Sequence, residues 1–229
     1  MILTKDRQKS TGAFYTPSIW ADKAVEAIRQ TLTYPEDYLF YDPAAGEGAL
    51  LEALPDWVDK CGTTLESEDV LICQKKSLRV LKLNFLEDNI NELFSEQQRK
   101  KLVVFMNPPY VKLAAGSNLS AYKKYRTNDA TALFYYRVFL ELKPFAVFSF
   151  NKLDLMQGST MKTFRDQTGI WESHISTFLT NSKTWGLNGS FPIAFHAFLP
   201  GAEINCDQYI TAKVFHNNET FTKKIWRYN

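Results

Sequence analysis

The sequence predicts an α/β fold, a doubly wound and mostly parallel sheet with helices on both faces. Three observations carry that prediction. Short apolar runs of strand length alternate with stretches of helical spacing. The strand-like runs end at Asp-Pro, Gly or Pro-Pro punctuation. Finally, 45% of the 229 residues are apolar, enough for one sizeable core.

Taken in order, Trp20–Leu32 places Trp20, Ala24, Ala27 and Ile28 on one helical face with charges between. Tyr38–Asp42 is a short strand stopped by Asp42-Pro43, and Ala44-Ala45-Gly46-Glu47-Gly48 is a tight turn. Helical spacing resumes over Ala49–Val58, limited by Pro55. Thr63–Glu66 is expected as a strand, Asp69–Ser77 as a helix, Leu78–Leu83 as a strand and Ile90–Arg99 as a helix. Lys101–Met106 reads as a buried strand ending at Asn107-Pro108-Pro109-Tyr110. The polar stretch Lys112–Thr131 follows as a segment without regular structure, and a segment of that length in a compact domain is usually a functional or mobile loop. Ala132–Leu142 is expected as helix, Phe145–Asn151 as strand, Thr160–Thr168 as helix, and the Phe-, Thr- and Ile-rich remainder as strands. Sheets of this type bind ligands beyond the carboxyl ends of their strands.

Composition excludes intrinsic disorder and repeat arrays. The longest apolar runs, such as Phe145–Phe148 and Leu102–Met106, fall well short of the ~20 residues of a membrane-spanning helix. The N-terminus has no apolar secretory core, so a cytoplasmic location without a membrane partner is expected. Cys61, Cys73 and Cys206 are far apart and form no Cys-x-x-Cys, so they read as buried thiols, with no disulfide framework and no metal site. The net charge of +2 hides an asymmetry. Residues 1–98 hold 10 basic and 17 acidic side chains, residues 99–152 hold 10 and 2, and residues 153–229 hold 7 and 6. Within the basic middle, Arg99, Lys100, Lys101, Lys112, Lys123, Lys124 and Arg126 are interleaved with Tyr110, Tyr122 and Tyr125, a composition suited to a polyanion. A solvated loop with no ligand has the same charge pattern.

Two motifs carry chemistry. In Tyr41-Asp42-Pro43-Ala44-Ala45-Gly46-Glu47-Gly48, the two glycines let backbone turn sharply and approach a ligand between strand and helix. Roughly 20 residues on, Glu66 offers a carboxylate suited to two ribose hydroxyls. In Val103–Tyr110, two prolines directly after a buried strand make a rigid corner. That corner aims the Asn107 amide oxygen and the Pro108 carbonyl at one point, with Tyr110 as a flat wall beside it. Two converging acceptors and an aromatic face suit a planar amine.

Together these residues resemble the amino-directed DNA methyltransferases, specifically the N6-adenine enzymes with Asn-Pro-Pro-Tyr, over nearly the whole chain. Thr11-Gly12-Ala13-Phe14-Tyr15-Thr16-Pro17 looks like the family's N-terminal motif, which packs over the methionine end of S-adenosylmethionine. Asp42–Leu50 looks like its glycine loop, Glu66 like its ribose-binding acid, and Asn107–Tyr110 like its catalytic tetrapeptide. Phe148–Asp154 resembles the strand and turn that follow, and Gly189–Phe195 the late motif that closes the target pocket. The motif order is that of the gamma class.

The resemblance implies a Rossmann-like methyltransferase fold with a mostly parallel seven-stranded sheet. It makes residues 1–229 one catalytic domain, with 1–35 as a cofactor-covering segment and 112–131 as a mobile basic loop. It assigns cofactor contacts to Tyr15, Thr16, Pro17, Asp42, Ala44, Gly46, Gly48, Glu66, Asn84, Phe85 and Asn107, and catalysis to Asn107, Pro108, Pro109 and Tyr110. Stacking of an extruded base falls to Tyr110 and Phe191, the latter favoured over Phe195, and phosphate contacts to Lys112, Lys123, Lys124 and Arg126. The chain departs from the pattern at Asn84-Phe85, where the family has an acid before the aromatic. It departs again after Phe195, where about 34 residues remain and no target recognition domain is expected. DNA is the implied partner, with a separate specificity subunit as a further one. Methyl transfer to RNA or to a protein glutamine amide, and a non-catalytic subunit of the same fold, remain as alternatives.

Overall fold

The computed structural model describes residues 16–187, 189–200, 209–216 and 219–226. Most of the N-terminal motif, including Tyr15, and Cys206 lie outside them. Among the described residues the sheet has nine strands: β1 Leu39–Asp42, β2 Asp59–Thr64, β3 Val80–Lys82, β4 Leu102–Met106, β5 Ala146–Lys152, β6 His174–Asn181, β7 Pro192–Phe198, β8 Tyr209–His216 and β9 Glu219–Trp226. Their order is β3-β2-β1-β4-β5-β7-β6-β8-β9.

The expected mostly parallel sheet of seven strands is therefore corrected to a mixed sheet of nine. β1 to β5 pair with one another only in parallel, whereas β7 lies antiparallel between β5 and β6. β8 then adds parallel to β6, and β9 antiparallel to β8. Residues 209–226 alternate apolar and polar in a way that shows a strand but not its partner, so the last pairings were not legible in advance.

Alternation along the central strands feeds two cores. Leu102, Val104 and Met106 of β4 enter one, with Tyr41, Phe85, Leu133 and Phe134. Val103 and Phe105 enter the other, with Phe40, Phe148, Phe150 and Phe195. A strand buried on both faces reads as a continuous apolar run for this reason. The helix Ser18–Thr31 covers the second core through Trp20, Ala21, Ala24, Val25 and Ile28, while the helix Ala130–Tyr136 covers the first.

Local boundaries differ from expectation in three places. β2 begins at Asp59 rather than Thr63, because Gly62 permits close backbone approach. A Cβ there would lie 2.9 Å from both Ala45 Cβ and Asp42 O. Glu66 is thus the N-cap of the helix Ser67–Lys75 rather than the end of a strand. The helix expected over Ile90–Arg99 is confined to Glu96–Arg99, where a Ser95 and Gln98 capping box starts it.

The third difference is the segment 112–131, expected without regular structure, which contains the helix Ser120–Tyr125. Its ends are tied by Leu113 N–H to Asn128 O at 2.7 Å and Ala130 N–H to Val111 O at 3.0 Å. Glu141, on the π-helical turn Arg137–Leu142, accepts from Lys124 Nζ at 2.9 Å and Tyr125 Oη at 2.6 Å, and pairs with buried Arg137 at 3.0 Å. Burial by itself raises the Glu141 pKa, but these hydrogen bonds and the Arg137 charge bring it below the ordinary carboxylate range. Cys73 is buried as expected and Cys61 only half-buried. No helix among the described residues is long and apolar enough to cross a membrane.

Candidate active site

The parallel register sets Asp42 at the end of β1 beside Gly62 of β2, and sends β4 out to Asn107 alongside it. Between them opens a cavity of about 330 Å³, within the roughly 300–1,000 Å³ of small-molecule sites. Of the expected cofactor contacts, Thr16, Asp42, Ala44, Gly46, Glu66, Asn84, Phe85 and Asn107 line it. Leu65, Leu83, Leu86, Leu113, Leu119 and Phe134 supply an apolar wall.

Gly48 and Pro17 are not among the lining residues. Gly48 has φ +87°, and a Cβ there would meet Leu78 Cδ1 at 2.5 Å and Cys73 Sγ at 3.2 Å, so it serves the helix start behind the loop. Gly46 has φ +50°; a Cβ there would meet nothing within 4 Å, and its backbone stays open to the cavity. The two glycines of one motif therefore do different jobs.

Asp42 is the electrostatic centre of this cavity. It is 1% exposed, its Oδ1 accepts Ala44 N–H at 2.9 Å, and no cation among the described residues pairs with it. Burial raises its pKa to about 7, with the Ala44 hydrogen bond opposing. A buried carboxylate without a cation fits a ligand bearing an ammonium, and the open Gly46 backbone and apolar wall fit the rest of an amino-acid nucleoside such as S-adenosylmethionine. Asn84 Oδ1 already accepts Leu86 N–H at 3.1 Å, and Phe85 is 2% exposed, stacked on Phe134 at 4.9 Å. Asp69, whose Oδ2 accepts the Thr64 hydroxyl at 3.2 Å, also lines the cavity. Its place on a helical pattern gave no sign of that.

At the far end, Asn107 Nδ2 donates to Thr16 Oγ1 at 3.0 Å, which orients the amide. Its Oδ1 accepts the Tyr110 hydroxyl at 2.7 Å. Burial pushes the Tyr110 hydroxyl well above the ordinary phenol range, so it remains a donor. Pro108 is buried, and Pro109 O accepts the Thr131 hydroxyl at 2.9 Å, pinning the corner to the helix Ala130–Tyr136. Beyond Val111 lies a second, smaller cavity of about 120 Å³, lined by Tyr110, Lys112, Asp129, Thr131, Lys152, Asp154 and Met161 among others.

Antiparallel insertion of β7 brings Phe191 to the same end, since Lys152 of β5 registers with Ile193. Phe195 lies 1% exposed in the aromatic core, packed on Phe148, Phe150 and Phe178. Lys112, Lys123, Lys124 and Arg126 are all exposed, and Lys124 is the one of them held by Glu141. Lys152, Asp129 and Asp154 were missed by sequence reasoning. Lys152 and Asp154 lie within the Phe148–Asp154 stretch, from which no role was read for either, and Asp129 lies in the polar stretch Lys112–Thr131.

No family model and no curated protein sequence matches the chain. Solved structures do. The type IIG restriction endonuclease BpuSI is 15% identical with a TM-score of 0.65, covering 96% of this chain and 32% of that one. The methyltransferase subunit of a type I restriction-modification system from Streptococcus thermophilus is 15% identical with a TM-score of 0.62, covering 90% and 49%. A protein from Pyrococcus horikoshii, provisionally described as an RNA methyltransferase, is 16% identical with a TM-score of 0.54, covering 81% and 86%. The chain spans about a third to half the length of the restriction proteins it matches, and it shares its fold with all three.

Proposed function

We propose that the chain transfers a methyl group from S-adenosylmethionine to the exocyclic amine of adenine in DNA. The observation that carries this reading is the junction at Asn107. One cavity with a buried, cation-seeking carboxylate and an apolar wall runs up to Asn107, and Tyr110, at the other end of the same rigid Asn-Pro-Pro-Tyr corner, lines a second cavity that meets the first at Val111. Thr16, Asp42, Ala44, Gly46, Glu66 and Phe85 would hold the cofactor, which supplies an electrophilic methyl group when bound.

The remaining steps belong to the chain. An exocyclic amine is a poor nucleophile because its lone pair is delocalised into the ring. Asn107 Oδ1 and the Pro108 carbonyl accept hydrogen bonds from its two N–H groups, favouring a pyramidal nitrogen whose lone pair is localised; acceptors set in advance meet the developing positive charge, and one of the two N–H protons is lost to solvent once the nitrogen carries the methyl group. Thr16 fixes the amide through its nitrogen, and the amine takes the place on Oδ1 that the Tyr110 hydroxyl holds in the ligand-free protein. The base must leave the duplex to arrive there. Tyr110 and Phe191 give it aromatic faces, and stacking of that kind is worth ~1–3 kcal/mol per base. Exposed Lys112, Lys123 and Arg126 position the backbone without reading sequence.

Likeness to the Pyrococcus horikoshii protein, which this chain covers over most of its length, favours RNA adenine as the second reading. Calorimetry with S-adenosylmethionine, followed by transfer of labelled methyl to mixed DNA and to structured RNA and identification of the modified base, tests both. N6-methyldeoxyadenosine is the expected product. Absence of cofactor binding would leave a non-catalytic subunit, product confined to RNA would replace the substrate, and N4-methylcytosine would replace the target base.

A further inference from the structure

Lys152 ends β5 on the carboxyl side of the sheet, half-buried, and its ammonium lies over two rings at once. It is 5.9 Å from the Tyr110 ring centroid and 5.4 Å from that of Phe191, so the two centroids are at most about 11 Å apart. A base stacked between two rings needs roughly 7 Å, two carbon contact distances. The ammonium thus stands beside both of the rings proposed to face the base. It makes no hydrogen bond or ion pair among the described residues, leaving its three donors unused. Asp129, capping the helix Ala130–Tyr136 through Ala132 N–H at 3.0 Å, and exposed Asp154 balance its charge without engaging those donors.

A base held by these two rings meets the ammonium at its edge, because the lysine stem is anchored at the strand end. A lysine head is a donor only. Adenine and cytosine carry a ring-nitrogen acceptor next to the exocyclic amine; guanine and thymine carry an N–H donor at the corresponding place. We propose that Lys152 Nζ donates to the ring nitrogen beside the target amine, N1 of adenine. In that role it sets the amine against Asn107 and turns away bases with a proton at that nitrogen. Lys152 is then a substrate-contacting, specificity-determining residue, an assignment that rests on the slot between Tyr110 and Phe191 being the target-base site.

The test uses the full chain saturated with S-adenosylhomocysteine, so that nucleosides cannot enter the cofactor cavity, and titrates 2′-deoxyadenosine with its 1-deaza and 7-deaza analogues by ligand-observed NMR. Loss of N1 should weaken binding 10- to 100-fold, as expected for a charge-assisted hydrogen bond, and loss of N7 less than about 3-fold. Lys152→Met should bind deoxyadenosine 10- to 100-fold more weakly and be indifferent to N1, and Lys152→Arg should restore most of the difference. An equal N1 penalty in wild type and Lys152→Met, with S-adenosylhomocysteine bound normally by both, would overturn the role of Lys152 and leave the proposed function standing. Failure of the wild type to bind S-adenosylhomocysteine would overturn the proposed function itself. Cofactor bound but no deoxyadenosine binding would overturn the base slot and the Lys152 assignment with it.

Discussion

The two cavities that meet at Val111 are built from opposite chemistry. The larger has two buried carboxylates, Asp42 and Asp69, with exposed loop backbone and an apolar wall. The smaller brings two lysines and two aspartates together, and its own groups already occupy its key atoms: the Tyr110 hydroxyl is on Asn107 Oδ1 and the Lys152 ammonium lies over both rings. The first is short of a positive charge, and the second is neutralised from within. On the proposed function, the first would seat a small cationic ligand directly, whereas the second would have to exchange internal contacts for those of an entering base. That contrast fits a cofactor that binds first and a target that arrives from a larger molecule.

The junction is where the comparison is easiest to break. Asn107→Ala should lower methyl transfer by about 10²–10³-fold or more, the scale of removing one preformed polar contact from a transition state, with cofactor affinity nearly intact. Transfer within a few-fold of wild type would show that the two cavities do not work through this amide. Next in size is the division of labour in the glycine loop. Gly48→Ala should cost on the order of 2–4 kcal/mol in denaturant unfolding, since it combines positive φ with a 2.5 Å approach to Leu78. Gly46→Ala should cost only about 1 kcal/mol of stability, from positive φ alone, yet weaken the cofactor. Equal stability losses would erase the distinction.

Asp42 sharpens the contrast through pH. Its ionised form is the one that holds an ammonium, and burial raises its pKa to about 7, so cofactor affinity should rise between pH 6 and 8. Asp42→Asn should be 10- to 100-fold weaker at pH 8 by calorimetry, and the difference from wild type should shrink about 10-fold at pH 6, where roughly a tenth of Asp42 is ionised. The same shift acts on folding with the opposite sense. The folded state holds this proton more tightly than the unfolded state, so the ligand-free protein loses stability as pH rises from about 4 to 7. The loss is on the order of 4 kcal/mol and should be absent in Asp42→Asn. The smallest effect concerns the basic segment. Lys123→Ala and Arg126→Ala should each reduce the salt slope of DNA binding by about 0.9, whereas Lys124→Ala, its charge already met by Glu141, should change it by less than half as much.

Legibility in the sequence tracked the range of the interactions involved. The ends of β1 and β4 were visible because Asp-Pro and Pro-Pro stop a ladder locally, and the helix over residues 18–31 because its apolar face repeats at helical spacing. β2 was placed late because Asp59–Gly62 looks polar; its strand character comes from pairing with β1, and Gly62 is needed only because Ala45 and Asp42 press on it. The helix Ser120–Tyr125 was hidden in a polar stretch because its stability comes from buried Ala121 and from Tyr125 and Lys124 reaching Glu141, 16 and 17 residues away.

At the candidate site the same rule holds. Asn107, Pro108, Pro109, Tyr110 and the glycine loop are contiguous runs whose backbone restrictions are written in residue type, and these followed from the chain's own order of residues. Packing in three dimensions added that Gly48 serves the helix start while Gly46 faces the cavity, that Asp42 has no cation beside it among the described residues, and that Phe195 is buried in the aromatic core. It also brought Lys152 to both Tyr110 and Phe191, because an antiparallel β7 inserted beside β5 carries the start of one strand to the end of the other. Backbone geometry at a turn depends on the residues in that turn, whereas burial, charge balance and the convergence of distant side chains depend on strand order and register, which no local pattern encodes.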